Sequence, residues 1–95
     1  MIKKIKELTA GDLFSLCTGR FTLVYGYQSG NSFPLSSWDV YLVLHNETHT
    51  SKDEKKSDYR MLFFLHPQIT DEIMGLFYYR ADDDEPVEVF EKKIK

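Results

Sequence analysis

Two stretches of this chain, Val40-Tyr41-Leu42-Val43-Leu44 and Met61-Leu62-Phe63-Phe64-Leu65, are apolar at every position. A half-solvated strand alternates apolar and polar residues, so such runs need a strand with neither face given over to water. They are either central strands covered on both sides or strands that carry an exposed apolar surface for a partner. Phe21, Leu23, Tyr25 and Tyr27 alternate with Thr22, Val24 and Gly26, which predicts a strand over 20–27 with one strongly aromatic face. Further strands are expected at 12–16, 38–45, 59–66, 76–80 and 87–91, the last with the mixed pattern of an edge.

Ninety-five residues with fourteen aromatics predict a single domain over 1–95 with a small core of large side chains. Its stability margin is on the order of 5 to 10 kcal/mol. The one cysteine, Cys17, cannot form an internal disulfide and is expected to be a small buried core thiol. The opening Ile2-Lys3-Lys4-Ile5-Lys6 breaks with charge, unlike a signal peptide, and no run approaches the roughly 20 apolar residues that span a bilayer. The expected location is cytoplasmic, with no membrane association.

Thr9-Ala10-Gly11-Asp12 fits a helix capping box with Gly19 as a stop. It equally fits a tight turn in which Gly11 takes the positive φ of a type II turn. The turn suits the short distance to the next strand, and predicts a hairpin of 12–16 with 20–27 about Cys17-Thr18-Gly19. Leu8-Thr9-Ala10-Gly11-Asp12-Leu13-Phe14 also resembles the opening turn of small SH3-like barrels, where Leu-x-x-Gly-Asp-x-apolar leads into a first hairpin. That resemblance spans about a dozen residues and implies a fold, not an activity. Residues 28–37, rich in Ser, Gly and Asn, read as an exposed loop, and 46–58 as a long polar loop. From Gln68, the spacing of Ile73, Leu76 and Phe77, with Pro67 before them, suggests a helical turn or two ahead of the strand to Arg80. The expected fold is therefore mainly β: a small SH3-like barrel or strongly bent antiparallel sheet of about six strands, with at most one short helix near residues 68–75.

The net charge of −3 conceals a division. Six of the twelve bases stand at the ends, as Lys3, Lys4, Lys6, Lys92, Lys93 and Lys95, so 7–91 holds six bases against all fifteen acids, a net of −9. From Asp71 to Glu91 there are eight carboxylates and one base, Arg80, and Asp82-Asp83-Asp84-Glu85 is an unbroken run closed by Pro86. Periodicity places that run at the tip of a hairpin leading to Val87, where carboxylates lack the desolvation that separates a general acid from a general base. If the terminal strands pair, the basic ends meet in a patch.

The search for chemistry returns no catalytic residue, cofactor site or metal centre. His45, Glu47 and His49 would face one side of an extended strand, yet they run into the polar loop; pairing 45 with 59 puts His66 opposite 38, too far to join them. Serines lie in loops without a nucleophile elbow, and no glycine-rich phosphate loop is present. Tyr25, Tyr27, Tyr41, Tyr78 and Tyr79 could stack bases, but the central strands offer only Arg20, Arg60 and Arg80 to phosphates, which disfavours nucleic acid.

A protein partner fits better. Tyr78 and Tyr79 beside Asp82, Asp83, Asp84, Glu85 and Glu88 offer aromatic anchors inside a negative field. The expectation is a non-enzymatic acidic binding module, an inhibitor or adaptor of the kind carried as accessory proteins by phages and mobile elements, engaging a basic surface on a larger protein. The alternative is a small barrel that binds a nucleotide or oligonucleotide through exposed tyrosines. A free edge at 87–92, or an exposed face on 40–44 or 61–65, would make a homodimer.

Overall fold

In the computed structural model, which describes residues 1–47 and 59–90, the chain forms eight strands: β1 Ile2–Lys4, β2 Leu13–Leu16, β3 Leu23–Gly26, β4 Ser32–Pro34, β5 Tyr41–Asn46, β6 Tyr59–His66, β7 Ile69–Tyr79 and β8 Pro86–Phe90. All pair antiparallel in one sheet of order β1-β8-β2-β5-β6-β7-β3-β4. The fold is mainly β, as the periodicity implies, with eight strands rather than about six. The two additional strands, β1 and β4, are three residues each and carry little pattern of their own; they are held by pairing with β8 and β3.

Among the described residues no helix covers the sheet, so the sheet covers itself. Phe14, Leu16, Val24, Tyr41, Val43, Leu62, Phe64, Met74, Leu76, Tyr78, Val87 and Val89 alternate along their strands onto one face and form a single buried cluster with Ile5 and Leu8. β8 and β3 stand five strands apart, roughly 24 Å on a flat sheet, yet Val87 and Val24 share that cluster. The sheet is therefore curled, with β1 and β4 as its ends among the described residues. Phe21 and Leu35, partly buried, pack against the core from the segments flanking β3 and β4.

The turn at 9–12 forms as expected: Asp12 N–H donates to the Thr9 carbonyl at 3.0 Å and Gly11 sits at φ 93°. The expected hairpin does not. β2 takes β8 and β5 as neighbours while β3 takes β4 and β7, so residues 17–22 carry the chain across the sheet. Cys17 is consequently exposed, not a core thiol.

Residues 69–79 are a strand, which corrects the short helix expected near 68–75. Met74, Leu76 and Tyr78 point inward while Ile73, Phe77 and Tyr79 point outward, and an extended ladder to β6 outweighs a helical spacing broken by Gly75. Pro67 and Gln68 make the turn without a positive-φ residue, and three residues of β7 bulge out where the partner moves from Ile73 to Ile69. The segment 28–37 is likewise not all loop, since it contains β4. β8 is an interior strand between β1 and β2, not an edge, because β1 supplies the partner that its mixed pattern did not foretell. His45 pairs with Phe63 rather than Tyr59, and a bulge at Leu44 turns Asn46 inward, where its side-chain amide donates to the Ile5 carbonyl at 3.1 Å. The remainder of the polar stretch, 48–58, and His49 lie outside the described residues.

Candidate functional site

Strand β7 ends at Tyr79 because the chain turns sharply: Arg80–Asp82 is one 3-10 turn, Asp83 N–H donates to the Arg80 carbonyl at 3.1 Å and Glu85 N–H to the Asp82 carbonyl at 3.0 Å. Pro86 then opens β8, which pairs with β1 and β2 rather than with β7. The acidic run is thus a crossover connector and not a hairpin tip. The terminal strands do pair, which lays the N-terminal bases against it; Lys92, Lys93 and Lys95 lie outside the described residues.

Each carboxylate of the run meets a group from a distant part of the chain. Arg20 donates to both oxygens of Asp82 at 3.2 Å. Arg60, buried on the inner face, brings Nε to 3.5 Å from Asp83 Oδ1. Lys6 and Lys4 reach Asp84 at 3.3 and 3.6 Å, and the Thr18 hydroxyl donates to Glu85. Backbone joins in, with Ile5 N–H on the Glu85 carbonyl at 2.8 Å and Lys6 N–H on the Asp83 carbonyl at 3.2 Å. The side chains of Asp82 and Asp83 are only 14% and 18% exposed, against 70% for Asp84. Lys6, then Lys4, holds the Asp84 carboxyl below its ordinary 3.8. Glu88 binds the N-terminal amine at 3.0 Å.

The two tyrosines diverge. Tyr78 is 2% exposed and packs on Phe21 in the core, so it is not a contact residue. Tyr79, 56% exposed, lies with its ring 5.0 Å from that of Tyr59, also exposed, directly before the acidic connector.

The runs apolar on both faces are central strands whose outer side stays open. Across that side, His45, Phe63, Gly75 and Tyr25 lie in one row, Met61 and Phe77 in the next, and Tyr59 and Tyr79 in a third. Tyr27 packs edge-on against Phe63 at 5.4 Å. Away from it, Trp38 is 91% exposed beside an open cavity of about 400 Å³ lined by Leu16, Cys17, Phe21 and Leu35. Trp38 was missed because the strand expected over 38–45 begins only at Tyr41. The Tyr41 hydroxyl, raised above 10.0 by burial, donates to the Ser36 carbonyl and accepts from Ser36 N–H, so it anchors the loop next to Trp38.

His45 stacks on Phe63, and His66 is buried, with Nδ1 accepting from Gln68 N–H at 3.1 Å. Among the described residues no three His, Cys, Asp or Glu side chains gather as metal ligands, and no helix is long and apolar enough to cross a membrane.

A further carboxylate, away from the connector, is held by the turn at 27–30. Glu72, carried on the β7 bulge, accepts from Ser29 N–H at 2.7 Å and fills the space a side chain at Gly26 would need. The Ser29 hydroxyl and backbone, then Gln28, hold Glu72 below its ordinary 4.5. A depressed carboxylate stabilises the fold fully above its unfolded value and loses that contribution as pH falls through its folded value. The urea midpoint should therefore decline as pH drops below 4.5, and Glu72→Gln should flatten that decline; an identical pH profile for the variant would refute the clamp.

Comparison of the chain with protein-family models, with curated proteins and with solved structures finds no match.

Proposed function

We propose that this chain is a non-enzymatic protein-binding module of the inhibitor or adaptor type that engages a basic surface on a larger protein. The observation that carries this reading is the exposed Tyr59–Tyr79 pair standing directly before the acidic connector, with Asp84 projecting from it. Paired aromatic rings at the margin of a negative surface supply anchor area, and the carboxylates orient a cationic partner. The pairing of Asp84 with Lys4 and Lys6 does not remove it from use. Exposed ion pairs are worth about 0 to 1 kcal/mol, so a partner arginine that binds a carboxylate through two donors displaces a lysine readily. Asp82 and Asp83, held by Arg20 and Arg60, serve to shape the connector.

The test compares capture from host lysate by the wild-type chain and by an Asp84→Lys, Glu88→Lys, Tyr79→Ser variant with matched circular dichroism. A basic protein retained by the wild type should fall at least about tenfold with the variant, the equivalent of 1.4 kcal/mol; equal capture would sink the reading. A second reading is favoured by the exposure of Tyr25, Tyr27, Tyr59 and Tyr79: a stacking platform for a nucleotide or oligonucleotide. Against it, Arg20 and Arg60 are engaged by Asp82 and Asp83. Flat tyrosine fluorescence on titration with single-stranded oligonucleotides dismisses it.

A further inference from the structure

The segment 17–22 that crosses the sheet and the loop at 35–38 border an open cavity of about 400 Å³, within the size range of small-ligand sites. Leu16, Phe21 and Leu35 line it, and all three belong to the buried core or pack against it, so its base is apolar. Trp38 lines it as well and is 91% exposed, the highest value among the large apolar residues described. Thr22 and Ser37, exposed at the same cavity, carry hydroxyls with no hydrogen-bond partner among the described residues.

Hydrogen bonds set the walls before any ligand arrives. The Tyr41 hydroxyl accepts from Ser36 N–H at 3.0 Å and donates to the Ser36 carbonyl at 3.2 Å, while the Trp38 backbone N–H donates to Ser36 Oγ at 3.0 Å. Leu35 N–H ties that loop to the Thr22 carbonyl at 2.8 Å. In the crossing segment, the Thr18 hydroxyl donates to Glu85 and accepts from Arg20 N–H at 3.2 Å. A cavity held in this way has little conformational freedom left to lose on binding.

We propose that this cavity binds a neutral carbohydrate, a mono- or disaccharide, with Trp38 as its stacking platform. Charge comes first. No residue lining the cavity is Asp, Glu, Lys, Arg or His, and Arg20, in the same crossing segment, already gives two donors to Asp82. A phosphate or carboxylate would be desolvated there without a counter-charge. Surface chemistry comes second. An acyl chain or sterol calls for an enclosed apolar pocket, whereas this one is open and bordered by hydroxyls. A pyranose matches both halves. Its C–H face, slightly positive, lies on the negative face of an indole, and its hydroxyls donate to and accept from those of Thr22 and Ser37.

The site goes beyond the proposed function and does not depend on it, since Tyr79, Asp84 and Glu88 do not line the cavity. Trp38 is the only tryptophan, so its emission reports on the cavity directly. That emission should change and saturate, with a Kd of about 1 mM or tighter, for at least one of glucose, galactose, mannose, N-acetylglucosamine, cellobiose and lactose. Glucose 6-phosphate and hexanol should leave it unchanged. By calorimetry, with circular dichroism matched, Trp38→Ala should weaken binding of the active sugar at least about tenfold, and Thr22→Val should weaken it about threefold. Flat titrations with all six sugars, glucose 6-phosphate or hexanol bound as tightly as the sugar, or undiminished affinity in Trp38→Ala would each overturn the site. The Asp84→Lys, Glu88→Lys, Tyr79→Ser variant should bind the sugar as the wild type does. Sugar binding without capture of a basic protein refutes the binding module alone; capture without sugar binding refutes the cavity alone.

Discussion

Phe64→Ala should lower the unfolding free energy by about 3 to 5 kcal/mol, the range for a large aromatic lost from a packed core. Phe64 is nearly inaccessible, and its ring meets Phe14 at 5.7 Å and Tyr41 at 5.1 Å, both edge-on. Those three rings come from β6, β2 and β5, so the cluster ties strands far apart in the chain at the centre of the curl. The margin of a domain this small is on the order of 5 to 10 kcal/mol, and the variant should be close to half unfolded in mild urea. Phe63 provides the control. One residue away, it points to the outer face, and Phe63→Ala should cost roughly 1 kcal/mol, the low end for an incompletely buried side chain. Urea midpoints with unchanged slopes measure both; equal losses at 63 and 64 would mean that the two faces are not as unlike as the fold requires.

The second large effect belongs to Arg60 and Asp83. A buried guanidinium has no water to turn to when its carboxylate is removed, so Asp83→Leu should cost about 3 to 5 kcal/mol. Arg60→Met should cost a comparable amount by stranding Asp83. Replacing both should recover most of the loss, since the desolvation of two charges disappears with their attraction. The ions approach only to 3.5 Å, and among the described residues neither Arg60 Nε nor Asp83 Oδ1 has a hydrogen-bond partner, which favours such recovery. Strictly additive losses in the four-way cycle would show that the residues act separately. Recovery would show that the pair fixes the path of the acidic connector more than it stabilises the fold.

Where local pattern and final pairing coincide, the sequence was readable. Tyr59–His66 alternates cleanly, its even positions all buried, and the apolar runs at 40–44 and 61–65 announced both the central strands and the open face. Gly11 was readable because a positive φ demands it. Failures arise where pairing is non-local. β7 has apolar side chains on both faces, so helical and extended spacings are both present in it, and the ladder to β6 decides. β1 and β4 exist only through their neighbours. The candidate site was legible as a density of charge, but not as a structure. Asp82, Asp83, Asp84 and Glu85 sit 20 to 80 residues from the groups they meet, at Thr18, Arg20, Arg60, Lys4 and Lys6, and only the crossover to β8 brings them together. Tyr78 and Tyr79 are adjacent in sequence and opposite in fate, since one pleat separates core from solvent.

The placement of β8 governs the time at which the sheet can be completed. Among the described residues β1 pairs with β8 alone, and one side of β2 waits for β8 as well. During synthesis β1 is made well before β8 and must wait for it, and Ile5, buried in the finished core, stays in water meanwhile. Loop closure on that scale places refolding among slow, non-local β topologies, on the order of milliseconds to seconds. Lys3, Lys4 and Lys6 surround Ile2 and Ile5, and lysines on a lone strand oppose its pairing with another chain, so the charges that meet Asp84 in the folded state also suit a segment that has to wait.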